Sequence, residues 1–288
     1  MTFRNVSSGL AVLFLMIGCG GGSDDDSSTD TGGTTPPITD PDDGQPPADC
    51  SGCVLTADVD DFAYSPYTDM LERAYLGESI YITGSENVSW EALQELGDMI
   101  DTMVQYRPDM VDRLRDFGTF YSVYGRNEDL CDIPYFEEWH HLDNYCAGGG
   151  VAGFRDNPTA TCSERNILAL PNDPYQRGQD TGENTCLHEM AHIVMNVYME
   201  DYQRDEVRRR HEEVLGTDLW IKGNGQEAFA RSNADEFWAE LSQVYFNANY
   251  NIDHHTHNGV NGADEFKDYD PVSYQLIESV YIQPADLR

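Results

Sequence analysis

The stretch "CLHEMAHIV", residues 186–194, sets two histidines four positions apart with a glutamate directly after the first. Four residues is just over one helical turn, so on a helix His188 and His192 share a face and their ring nitrogens can converge on one ion. Glu189 then lies about 100° around the helix, able to reach a water on that ion without ligating it. Those are the parts of metal-assisted hydrolysis: zinc lowers the pKa of a water and polarises a carbonyl, and a carboxylate takes the proton. An ordinary amphipathic helix is the alternative, but a chain with 8 histidines seldom produces this spacing by chance.

A catalytic zinc needs a third protein ligand. The extended metzincin pattern would place a glycine and a third histidine in the next two turns, where this chain has Met195 and Tyr198, so that class is excluded. Asp218 in "GTDLW" is a candidate of the aspartate-using kind, although its flanks do not continue that pattern. "DEFWAE" offers Glu236 and Glu240 one turn apart. The first could ligate, while the second accepts a hydrogen bond from a ligand histidine and fixes its tautomer. A solvated, charged helix face has the same sequence signature.

The rest of the chain sets the context. Its formal net charge of −35 would repel nucleic acid phosphates and anionic lipid headgroups, so neither is an expected partner. A 40% hydrophobic and 11% aromatic composition supports a core, and one globular domain is expected. Residues 1–18, with a single basic residue (Arg4) and an apolar run from Leu10 to Ile17, read as a secretory signal too short to span a bilayer. The ending "MIGC" resembles a bacterial lipobox, which makes Cys19 the lipidated first residue of the mature protein and the only expected tie to a membrane. Residues 19–49 are rich in Gly, Ser, Thr, Pro and Asp and read as a disordered acidic tether, with the folded domain over 50–288. The expected location is the cell envelope, at the outer membrane or cell surface, or released from it.

Six further cysteines in an exported chain read as three disulfides, here taken as Cys50 with Cys53, Cys131 with Cys146, and Cys162 with Cys186. "CSGC" could instead be redox-active, but it follows a tether and precedes "VLTADV" rather than opening a helix.

Strands are expected at "ESIYITG" (78–84), "TFYSVYG" (119–125) and "NILAL" (166–170). Helices are expected from a Ser89 cap to about Tyr106, from Pro108 to about Asp116, and from about Thr181 to Glu200. Others are expected over "YQRDEVRRRHEEVLG", ended by Gly216, over "SNADEFWAELSQVYFNANY" and over "DPVSYQLIESVYI". A few strands followed mainly by helices is an α+β layout.

The stretches "NILALPNDPYQRGQDTGENTCLHEMAHIV", "DLWIKGNGQEAFARSNADEFWAELSQVYFNANY" and "HNGVNGADEFKDYDPVSYQLIESVY" together resemble the secreted metallopeptidases related to anthrax lethal factor, over about Val104 to Ile282. The resemblance implies a zincin-like domain, with a small sheet packed on the active-site helix and a mainly helical C-terminal half. It also implies one zinc held by His188, His192 and Glu236, Glu189 as general base, Glu240 behind the ligands, and a peptide or protein substrate. One position departs from the family: its tyrosine, seven residues before the ligand glutamate, is here Phe229, which removes a hydroxyl that would steady an oxyanion. His254, His255 or His257 from "HHTHNG" could supply the missing donor, or form a solvent loop. The implied activity is zinc-dependent endopeptidase. Its rivals are a catalytically impaired zinc-containing binding protein and a zinc hydrolase of a non-peptide bond.

Overall fold

The computed structural model describes residues 44–55, 72–77, 79–133, 146, 150–152, 159–177, 182–254 and 256–287. The signal sequence, Cys19, nearly all of the tether, and His255 lie outside them.

Two strands lie at the heart of the sheet because they are buried along their whole length, which suits a parallel pair covered on both faces. These are β4 (Phe120–Tyr124) and β6 (Thr159–Ser163), paired parallel from Phe120 opposite Thr159 to Tyr124 opposite Ser163. β3 (Tyr81–Gly84) joins β4 in parallel on one side, followed by antiparallel β2 (Arg73–Leu76) and β1 (Cys53–Leu55). On the other side β5 (Gly150–Ala152) runs antiparallel to β6, giving the order β1-β2-β3-β4-β6-β5. Among the described residues, a six-stranded mixed sheet combined with helices is the expected α+β class.

Between β3 and β4 the chain forms α1 (Trp90–Val104) and α2 (Pro108–Asp116). The Ser89 side chain accepts from the Ala92 N–H and caps α1, and Pro108 opens α2. After β6 come α3 (Glu164–Ile167), α4 (Thr185–Ile193), α5 (Asp201–Leu215), α6 (Ala234–Tyr245), α7 (Ala263–Tyr269) and α8 (Pro271–Tyr281). No described helix is long and apolar enough to cross a membrane.

Two expectations need correction. "NILAL" is not a strand: the Ser163 hydroxyl accepts from the Arg165 N–H and starts α3, while the strand is the Thr-rich segment just before it. Asn166 on that short helix is buried, donating to Asp173 and to the Glu183 carbonyl and accepting from the Thr185 N–H. The histidine helix also begins later than expected. Residues 182–184 are not helical, and the Asn184 side chain caps α4 by accepting from the Leu187 N–H. Beyond Ile193 it widens into a π-helical turn, Val194–Tyr198.

Disulfides join Cys50 to Cys53, Cys131 to Cys146 and Cys162 to Cys186. The last ties β6 to α4 two residues before His188, and the Tyr121 hydroxyl donates to the Cys186 carbonyl from the neighbouring strand. α4 is therefore pinned to the sheet at its first turn.

Candidate metal centre

α4 packs on the sheet with one face and on α6 with another. α6 is capped by Asn233, whose side-chain oxygen accepts from the Asp235 and Glu236 N–H groups. The Trp238 indole donates to the Ala191 carbonyl at 2.8 Å, which fixes α6 against the middle of α4. Glu236, Glu240 and Gln243 recur at helical spacing and turn toward α4 together.

This docking brings Glu236 Oε2 to 3.0 Å from His188 Nε2 and 3.5 Å from His192 Nε2, and the two Nε2 atoms lie 3.2 Å apart. All three side chains are buried. Three atoms that can each offer a lone pair thus face one another in a space from which water is largely excluded. A proton on one ring can bridge one such pair, whereas a divalent cation takes a lone pair from each, and two imidazoles with a carboxylate are a donor set that suits zinc. The residues fit the ion the motif implies.

The same closeness shifts the charges of these groups, and an ion entering the triad would displace the proton that Glu236 favours on His188. Burial opposes the Glu236 carboxylate, but the His192 and His188 rings beside it hold it well below the usual carboxylate range. Burial likewise opposes a charged His188, yet the hydrogen bond and charge of Glu236 raise it well above the usual imidazole range. Burial pushes the Glu189 carboxyl up, against the pull of His188 and His192.

Glu189 sits beneath β5. It accepts a hydrogen bond from the Ala152 backbone, and its Oε2 is buried with no hydrogen-bond partner. That contact requires a glycine at 150, because a Cβ there would stand 2.7 Å from Glu189 Cγ and 2.5 Å from the Thr161 carbonyl oxygen.

Asp218 is exposed on the turn after α5 and does not belong to the triad. Glu240 lies beside His188, with Oε1 3.6 Å from Nδ1, too far for a hydrogen bond. The nearer group is Gln243, whose Oε1 is 2.9 Å from His188 Nδ1. A second carboxylate cluster, Glu183 with Glu240, shares His188, but Gln243 already occupies the nitrogen on that side.

Phe229 opens a 3₁₀ turn, half-buried, with its ring stacked near His188 at a centroid distance of 6.4 Å and an interplanar angle of 29°. Its backbone N–H donates to the Thr256 carbonyl at 2.7 Å, which draws the histidine-rich loop alongside the site. Within that loop His257 is fully buried, its Nε2 donating to the Val260 carbonyl and its Nδ1 3.4 Å from Glu240 Oε2. It therefore stands behind Glu240 rather than over the triad. His254 stacks on Tyr250 at 3.9 Å.

Gln243 and Gly150 were not singled out from sequence. The first lies seven residues after Glu236, two helical turns along the same face, and that spacing was the available signal. No protein-family model and no curated protein matches this chain in sequence.

Proposed function

We propose that the chain is an exported, lipid-anchored zinc metallopeptidase of the glutamate-ligand zincin type, related to anthrax lethal factor. The observation that carries the reading is the buried convergence of His188, His192 and Glu236, with an unpartnered carboxylate oxygen of Glu189 on the same helix. His188, His192 and Glu236 would hold the ion. Zinc bound there supplies an activated water and polarises the scissile carbonyl.

The chain's own residues account for the remainder. Glu189, fixed by the Ala152 N–H, has one oxygen left to take a proton from the attacking water and hand it to the leaving amine. Among the described residues β5 is the last strand in the sheet order, so an extended peptide laid along it would pass directly beside Glu189. The Phe229 ring covers His188 without offering a donor.

That missing hydroxyl favours a second reading, a zinc-containing protein that binds peptides and cleaves them slowly or not at all. Incubating the zinc-loaded full chain with a diverse peptide mixture, with and without a chelator, separates the two. Chelator-sensitive cleavage supports the peptidase, whereas peptide capture without new termini supports the binding protein.

A further inference from the structure

The hydrogen bonds around His188 define which of its nitrogens carries the proton, and two anchors on the main chain decide the matter. The first is Asn249, whose Oδ1 accepts from the Tyr250 backbone N–H at 2.7 Å. A backbone N–H can only donate, so the other end of this amide is the NH₂ group. That group donates to Gln243 Oε1 at 3.3 Å and to Glu240 Oε2 at 3.0 Å. The second anchor is the Asn184 carbonyl, at the N-cap of α4, which accepts from Gln243 Nε2 at 2.9 Å. Glu183 Oε1 receives the same amide at 3.2 Å.

Turning the Gln243 amide over would set its oxygen against the Asn184 carbonyl and its NH₂ against the Asn249 NH₂. Both contacts are repulsive, so the oxygen faces His188. An acceptor 2.9 Å from Nδ1 requires an N–H there. With an ion in the triad the ring is neutral, its one proton on Nδ1 and its lone pair on Nε2, the atom that faces Glu236 and His192; without an ion, Glu236 Oε2 at 3.0 Å would draw a second proton onto Nε2.

We infer that Gln243 is the positioning residue that holds the His188 proton on Nδ1 and so presents Nε2 to the ion, a role sequence position alone would give to Glu240. The inference rests on the metal reading proposed above. Glu240 has different partners: it accepts from Asn249 and lies against His257. Gln243 also grips the N-cap of α4, so one side chain sets both the tautomer of His188 and the seating of α6 on the histidine helix.

The test uses the zinc-loaded, ¹⁵N-labelled full chain, its Gln243→Met variant, which keeps the length and loses the acceptor, and Glu240→Gln. In the native chain the His188 Nδ1–H should give a slowly exchanging downfield proton with cross-peaks to the Gln243 side chain. In Gln243→Met that proton should exchange fast or vanish, and zinc affinity, measured against a chromophoric chelator, should fall about 10- to 100-fold while far-UV circular dichroism is unchanged. Glu240→Gln should keep the protected proton. Unchanged proton and affinity in Gln243→Met, or loss of the proton in Glu240→Gln alone, would overturn the assignment while leaving the metal site standing. If Gln243→Met does not fold, the native cross-peaks decide: contacts from the Nδ1 proton to Glu240 and not Gln243 overturn it. A native chain that binds no zinc overturns the metal reading itself.

Discussion

Gly150→Ala probes a close approach in the site, that of β5 to Glu189. The added methyl would meet the Thr161 carbonyl oxygen at 2.5 Å and Glu189 Cγ at 2.7 Å, against ordinary contacts of roughly 3.5–4.0 Å. One of these neighbours is main chain in the adjacent strand β6, so it cannot simply rotate away. Either β5 lifts or the Glu189 side chain moves, by roughly 1 Å. Overpacking of this kind costs about 1–3 kcal/mol, which for a domain of this size lowers Tm by about 2–12 °C. A displacement of about 1 Å at a group that must reach a reacting proton can cost up to about 100-fold in turnover. The proposed metal ligands sit on α4 and α6, and the added methyl meets Thr161 and Glu189 instead, so the metal content should stay at that of the parent. Differential scanning calorimetry, metal analysis and peptide turnover read the three effects separately. A variant that melts with the parent and cleaves at its rate would refute the apposition of β5 and Glu189.

Phe229→Tyr restores a donor near His188 without disturbing the half-buried ring, and turnover is expected to rise by about 100-fold or more at constant zinc content, as judged by steady-state kinetics. No change in rate would mean that another group already serves the oxyanion. Glu236→Ala should weaken zinc binding by more than about 100-fold in chelator competition, and exposed Asp218→Ala should leave it alone; the reverse order would move the third ligand to Asp218. Stability should also fall at acidic pH through Glu164. Burial opposes its charge, but hydrogen bonds from Arg126 and Ser89 outweigh it and hold the folded carboxyl below its ordinary value. A depressed carboxyl contributes stability that is complete above the unfolded pKa, near about 4.3, and is lost as pH falls through the folded value. Arg126→Met should cost about 3 kcal/mol at neutral pH and flatten that acid limb in urea titrations, while an acid limb as steep as the parent's would contradict the role of Glu164.

Local signals made several elements readable and left others hidden. Caps and periodicity are local, so the Ser89 and Pro108 helix starts and the Gly216 stop appear in the sequence and in the fold. β1, β2 and β5 are three or four residues long, held by pairing partners distant in the chain, and carry no alternation long enough to read. At residues 166–170 the apolar run masked a helix start whose cause is the Ser163 cap and the hydrogen bonds of buried Asn166. In the site, the His188 and His192 pair follows from the helical repeat alone, whereas the approach of Glu236 depends on how α6 docks through Trp238 and Gln243. The need for glycine at 150 is set by a strand-to-helix distance, which no single stretch of sequence encodes.

Peptidase action through Glu189 is tested by a mass-spectrometric inventory of new peptide termini made by the zinc-loaded full chain and by its Glu189→Gln variant from the same peptide mixture. An amide in place of the carboxylate keeps the shape of Glu189 but cannot take a proton from the attacking water. Chelator-sensitive termini are expected from the native chain, with a near-complete loss of them in the variant at unchanged zinc content. Equal cleavage by the two proteins would contradict the role given to Glu189, and the absence of any new terminus from the zinc-loaded native chain would contradict the peptidase.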